Sequence, residues 1–195
     1  MNFHRIQTDQ DELLYTDRDI VERTRQNKDA FTSVIHRYEA PLLQYIVLQI
    51  VQDGRTAKDI LQEIFINVYI YLNDYDNSIP FSSWIFRFAY KETASFLTRK
   101  KRGASENFKE WNVNYYEKLL HLSESLSPGN QKYTHEGVIR AFDRLDGKYR
   151  DIIVLKYILE KSDKEISDIL EINLETVITL DIRAIEILKG HLDIK

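Results

Sequence analysis

The chain has 195 residues, 43% hydrophobic and 30% charged, with a net charge of −4 and no cysteine. That is room for one large domain or two small ones, and it excludes disulfides, thiolate metal sites and cysteine nucleophiles. Six glycines and three prolines are too few for a turn-rich β protein and favour long helices.

Residues 1–16 read as an N-terminal extension whose His4, Arg5, Asp9, Asp11 and Glu12 leave no apolar leader core. The longest apolar run, Ile64 to Leu72, is broken by Asn67 and too short to span a bilayer. The expectation is a cytoplasmic protein with no membrane insertion. Thr16 is a plausible N-cap for a short helix from Asp17 to Gln26. Phe31, Val34, Ile35, Tyr38, Leu42, Tyr45, Ile46 and Gln49 keep i, i+3, i+4 spacing and predict a long amphipathic helix, kinked at Pro41. Asp53-Gly54 breaks the pattern. Ala57, Ile60, Leu61, Ile64, Phe65, Val68 and Leu72 then form a second helical stripe. A polar turn follows, and Pro80 opens a third long helix with Trp84, Phe88 and Phe96 among its apolar positions and Ser78 as a possible cap.

These helices predict a first domain over 17–102. Residues 103–134, rich in glycine, serine and asparagine, predict a flexible linker with at most a transient helix around Tyr115 to Leu122, because so long a connection is unusual inside one domain. A second domain over 135–195 holds helical patterns at Val138 to Leu145, Lys148 to Leu159, Asp163 to Leu170 and Leu174 to Leu188. Asp146 and Ser162 are good N-cap types, and the last pair, joined by Glu171-Ile172-Asn173, has helix-turn-helix spacing. The predicted fold class is all-α, two small helical domains joined by a flexible linker.

The five histidines share no metal-ligand spacing, and there is no Gly-rich phosphate loop, HExxH or nucleophile elbow. No enzyme activity, metal or cofactor is expected.

Three segments carry a resemblance. Asp59-Ile60-Leu61-Gln62-Glu63-Ile64-Phe65 fits D-x-x-Q-E-x-F. Tyr75 to Ala89, with Pro80-Phe81-Ser82-Ser83-Trp84 at its centre, fits P-F-x-x-W-L-x-R-I-A. Leu145 to Tyr157, Ser162 to Leu170 and Glu175-Thr176-Val177 fit L-P-x-x-x-R-x-V-x-x-L-R-Y, S-x-x-E-I-A-x-I-L and G-T-V. In this order they resemble the sigma-2 and sigma-4 domains of the extracytoplasmic-function (ECF) group of bacterial sigma factors. The resemblance implies a protein that binds RNA polymerase core enzyme and promoter DNA, under an anti-sigma factor, and directs transcription initiation.

It implies a polymerase-binding face of Asp59, Gln62, Glu63 and Ile66; physically, these lie away from the core stripe, where an acidic, partly apolar face suits a basic partner, or is simply solvated. It implies capture of −10 single-stranded DNA by the second segment. There Tyr75, Asn77, Ser78 and Phe81 are the expected contacts, while Trp84 and Phe88 are expected in the core. Between Ile85 and Gly103 the bases Arg87, Lys91, Arg99, Lys100, Lys101 and Arg102 stand against one acid, Glu92, a phosphate-binding footprint.

The last helix departs from the family pattern, which carries K/R-S-R-x-x-R-A after G-T-V. Ile178 and Leu180 stand at expected basic positions, Glu171 replaces the turn glycine, and from Ser162 to Gly190 only Lys164, Arg183 and Lys189 oppose seven acids. Either this helix reads −35 DNA weakly through Thr176, Thr179 and Arg183, or the chain is a sigma-like regulator whose acidic helix-turn-helix docks proteins.

Overall fold

A computed structural model describes residues 15–50, 54–99, 113–126 and 133–192. Among them there is no strand, and the helices run in chain order as α1 (Asp17–Gln26), α2 (Phe31–Ile50), α3 (Gly54–Tyr71), α4 (Phe81–Arg99), α5 (Val113–Ser125), α6 (His135–Asp143), α7 (Gly147–Ile153, continued as a π-helical turn over Val154–Ile158), α8 (Asp163–Leu170) and α9 (Leu174–Leu192).

Local chemistry fixes the helix starts. Thr16 and Asp19 form a reciprocal capping box on α1, and Ser162 and Glu165 do the same on α8, each satisfying orphan N–H groups at a first turn. Asp146 precedes α7 without a side-chain cap bond. Ser78 does not cap α4; its N–H is bound by Asp76 Oδ1 at 2.9 Å, and Pro80 supplies the first carbonyl, to the Trp84 N–H. The chain stays helical through Pro41.

The stripes read from the sequence become a core. Val34, Leu42, Ile46, Ile64, Val68 and Ile85 are wholly buried where α2, α3 and α4 meet. Ile152, Ile153, Leu155, Ile166, Val177 and Ala184 do the same among α7, α8 and α9. Fully burying one of these valine, leucine or isoleucine side chains contributes roughly 1.5–3 kcal/mol.

One departure from the sequence reading matters, and with it one placement that the sequence leaves open. First, part of the expected linker is built into the C-terminal bundle: α5 packs on α6 and the π-helical turn, burying Leu119 and Leu122. Lys118 ties it down by donating to the Ile158 carbonyl at 2.8 Å and pairing with Glu160 at 2.7 Å. Second, the two bundles are packed together. Helix α4 lies along α8, and α2 meets α7. Tyr45 donates to Asp151 at 2.9 Å, the buried Arg150 reaches the Gln49 carbonyl at 3.5 Å, and Lys161 sits over the Phe86 ring.

Candidate functional site

Asp59, Gln62, Glu63 and Ile66 are all exposed on α3, because Ile60, Leu61, Ile64 and Val68 turn the opposite side into the core. Grooves run along both flanks of this face. One, of about 550 Å³, lies between α2 and α3 and includes Phe31, Ile35, Gln62, Phe65, Ile66 and Tyr69. The other, also about 550 Å³, holds Asp59, Gln62 and Glu63 against Phe96 and Arg99 of α4. Toward the helix end the face turns apolar: Ile66 is 43% exposed, Tyr69 39% and Ile70 59%. A monomer gains nothing from presenting such a run to water, so a covering partner is the physical reading.

The loop after α3 is held from below. Arg25 of α1 donates to the carbonyls of Leu72 and Tyr75, and the Tyr75 hydroxyl donates to the Ile79 carbonyl at 2.8 Å. Asn77 adopts a left-handed conformation with φ 61°, a state asparagine tolerates better than most residues. Asn77 and Ser78 therefore stand exposed at the tip. Bonds from Ser78 hold the Asp76 carboxyl below its usual range.

The aromatic side chains are covered to degrees that differ from the expectation. Tyr75 and Phe81 are not surface contacts: they are 6% and 2% exposed, packed edge-on to each other and, for Phe81, to Tyr38. Trp84 and Phe88, read as core, are only half-buried. Trp84 stacks on Phe81 and meets Phe88 at 4.9 Å, and Phe88 stacks on Tyr71, which is 47% exposed. Helical spacing alone puts 81, 84 and 88 on one side; the loop's turn decides which of them it covers.

Arg87 and Lys91, one turn apart on α4, face the helix-turn-helix. Glu171 pairs with Lys91 at 2.7 Å and Arg87 at 3.6 Å, and Arg87 Nε donates to the Asp168 carbonyl at 2.6 Å. Arg99 is exposed at the end of α4; Lys100, Lys101 and Arg102 lie outside the described residues.

On α9, Asn173 is an N-cap, accepting from the Thr176 N–H at 2.7 Å and the Thr176 hydroxyl at 2.6 Å. The Thr179 hydroxyl donates back to the Glu175 carbonyl at 2.8 Å, and Arg183 is exposed. Leu174, Ile178 and Ile182 form an exposed stripe, 45%, 44% and 56% accessible, whereas Leu180 packs against the core.

The acidity of this module looks different in space. Asp163 and Asp181 converge on Lys156, at 2.7 and 2.6 Å, and Asp181 also accepts from the Tyr157 hydroxyl. Burial would raise Glu165, but bonds from Ser162 and Lys161 outweigh it and hold the carboxyl low. With Glu171 on Arg87 and Lys91, four of the seven acids are matched by cations outside the segment that was counted.

Among the described residues no group of side chains is arranged to hold a metal ion, and no helix is long and apolar enough to cross a membrane.

The family model for Sigma-70 region 2 matches residues 35–103, and that for Sigma-70, region 4 matches 135–179. The chain is 30% identical over 176 residues to the ECF RNA polymerase sigma factor SigW of Bacillus subtilis, covering 85% of this chain and 90% of that one. It is 24% identical over 182 residues to the ECF RNA polymerase sigma-E factor of Haemophilus influenzae, covering 91% and 95%. Among solved structures, CnrH in complex with the cytosolic domain of CnrY shares the fold with a TM-score of 0.66 at 22% identity, over 91% of this chain and 97% of that one.

Proposed function

The chain belongs to the ECF group of sigma factors, which bind RNA polymerase core enzyme and direct it to promoters, and from that premise we propose which of its surfaces perform each step. It is a transcription initiation factor acting in the cytoplasm, with no catalytic step of its own.

The outer face of α3 grips core polymerase. The observation that carries this reading is the continuous exposed surface from Asp59 through Gln62, Glu63 and Ile66 to Ile70, acidic at one end, apolar at the other and grooved on both sides. The acids steer a basic partner surface, and Ile66, Tyr69 and Ile70 supply the apolar anchors that hold it.

Single-stranded −10 DNA is taken by the loop and α4. Asn77 and Ser78 offer amide and hydroxyl groups at the tip, and the accessible edges of Trp84, Phe88 and Tyr71 offer ring faces for a base to stack on. Tyr75 and Phe81 build the floor beneath them. Arg87, Lys91 and the run Arg99, Lys100, Lys101 and Arg102 take phosphates. We place the first domain at 17–102 and begin the second at α5, whose packing on α6 and the π-helical turn supports that boundary.

Helix α9 contacts the −35 region through Thr176, Thr179 and Arg183. The pairing of Asp163 and Asp181 with Lys156 and of Glu165 with Lys161 supports this, since it compensates acids within the module itself. The second reading, a protein-docking helix, is favoured by the exposed stripe Leu174, Ile178 and Ile182. An anti-sigma factor is the proposed regulatory partner.

Run-off transcription with purified core enzyme and genomic fragments tests the whole assignment: transcripts from discrete start sites that require this protein are expected. Core binding without such transcripts would favour the docking reading. Changing Arg99, Lys100, Lys101 and Arg102 together to Ala should weaken promoter binding and lower the salt slope by roughly three to four; an unchanged slope would remove the basic run from the interface.

A further inference from the structure

Glu171 is the C-cap of α8 in a left-handed conformation, φ 56°. A side chain is strained there, and glycine is the residue the position ordinarily selects. The carboxylate spans Lys91 Nζ at 2.7 Å and Arg87 Nη1 at 3.6 Å, while the Asp168 carbonyl accepts from Arg87 Nε at 2.6 Å. Two oxygens of one anion on two cations four residues apart is the arrangement a phosphate would adopt on the same pair.

We propose that Glu171 is a built-in occupant of a phosphate site: its carboxylate holds Arg87 and Lys91 in the packed form of the chain, and promoter DNA takes those cations only when the helix-turn-helix lifts off α4. This rests on the reading of Arg87 and Lys91 as phosphate contacts.

Three features support the exclusion. The contact is at the turn itself, so the element whose last helix is to meet −35 DNA is the one that covers the −10 cations. Helix α4 packs along α8 beside it, with Phe86, Ile169 and Leu170 buried on these two helices, so the ion pairs need not supply the adhesion. The pairs are partly open to water, with side-chain exposures of 28% for Arg87, 57% for Lys91 and 45% for Glu171. Exposed pairs of this kind are weak and salt-screened, which lets a polyanion compete for them.

The test uses the full chain and four variants: Glu171→Gly, Glu171→Gln, the pair Arg87→Ala with Lys91→Ala, and that pair combined with Glu171→Gly. Glycine suits the backbone, so the fold is retained. Fluorescence anisotropy with a labelled single-stranded DNA oligonucleotide at low salt gives affinity. Because the chain has no cysteine, dyes on Asn73→Cys and Glu186→Cys, both exposed, give the separation of the two bundles by energy transfer. Glu171→Gly and Glu171→Gln should bind DNA about fivefold more tightly, as expected for releasing two exposed pairs, and DNA should lower the energy transfer. The combined variant should lose the gain. Wild-type affinity in both Glu171 variants, with weaker binding by the Arg87–Lys91 pair, would overturn the proposal and leave the phosphate reading standing. Unchanged affinity in the Arg87–Lys91 pair would overturn both.

Discussion

Asp151 shows what a single residue does here that its neighbours in sequence do not announce. It lies on an amphipathic helix, where a carboxylate reads as solvated, yet packing of α2 on α7 half-buries it against the Tyr45 hydroxyl. Burial pushes its carboxyl up to about 7, against the lowering pull of the Tyr45 hydroxyl bond and the Arg150 guanidinium. Unfolded, the group ionises near 3.8. The folded chain therefore keeps a proton that the unfolded chain releases, so the stability this group contributes is complete below the unfolded value and disappears as pH rises through about 7. The melting temperature of the wild type relative to Asp151→Asn should fall steadily across that window; a difference independent of pH would mean the carboxyl is not buried. Lys156 is the second such residue. Removing it strands Asp163 and Asp181, which are 33% and 14% exposed, so Lys156→Ala should cost about 1–3 kcal/mol in chemical denaturation. It should also weaken binding of duplex DNA by restoring the charge that the linear count assigns to this module.

At the scale of elements, periodicity carried most of the reading. The apolar stripes of α2, α3, α8 and α9 fix both the helices and the faces they bury, so Asp59, Gln62, Glu63 and Ile66 were placed outward correctly from spacing. Reversing the acids, Asp59→Arg with Glu63→Arg, should lower affinity for core polymerase at least tenfold while leaving the melting temperature within a few degrees, since both side chains are exposed; retained affinity would move the polymerase face elsewhere. Spacing failed where a turn chooses among neighbours. Tyr75, Phe81, Trp84 and Phe88 are all aromatic and close together, and only the closure of the loop by Arg25 and the Tyr75 hydroxyl decides that the first two are covered. Ile178 and Leu180 look alike as apolar replacements of basic positions, but Ile178 is exposed and Leu180 packed. Ile178→Arg should accordingly tighten duplex binding and raise the salt slope by about one if α9 approaches a groove; no change would favour the docking reading.

At the scale of the molecule, the described residues form two helical bundles in contact. Arg150, 3% exposed, donates to the Asp143 carbonyl at 2.8 Å, reaches the Gln49 carbonyl and covers the Phe142 ring. Arg150→Ala should lower stability by about 2 kcal/mol or more and separate the unfolding of the two bundles into distinct steps by calorimetry. A single transition at the wild-type midpoint would show the bundles to be coupled by other contacts. The sequence by itself determined the helical class, the order of the elements, the outward face of α3 and the family, because 3.6-residue periodicity, caps and motif spacing are local and survive in a one-dimensional reading. Only the tertiary structure decided that α5 belongs to the C-terminal bundle, that Asp181 is matched by Lys156, and that Glu171 stands on Arg87 and Lys91. Each of those depends on groups far apart in the chain meeting in space, 25 residues for Lys156 and Asp181, 42 for Lys118 and Glu160 and 81 for Arg87 and Asp168, and separation along the chain carries no record of such meetings.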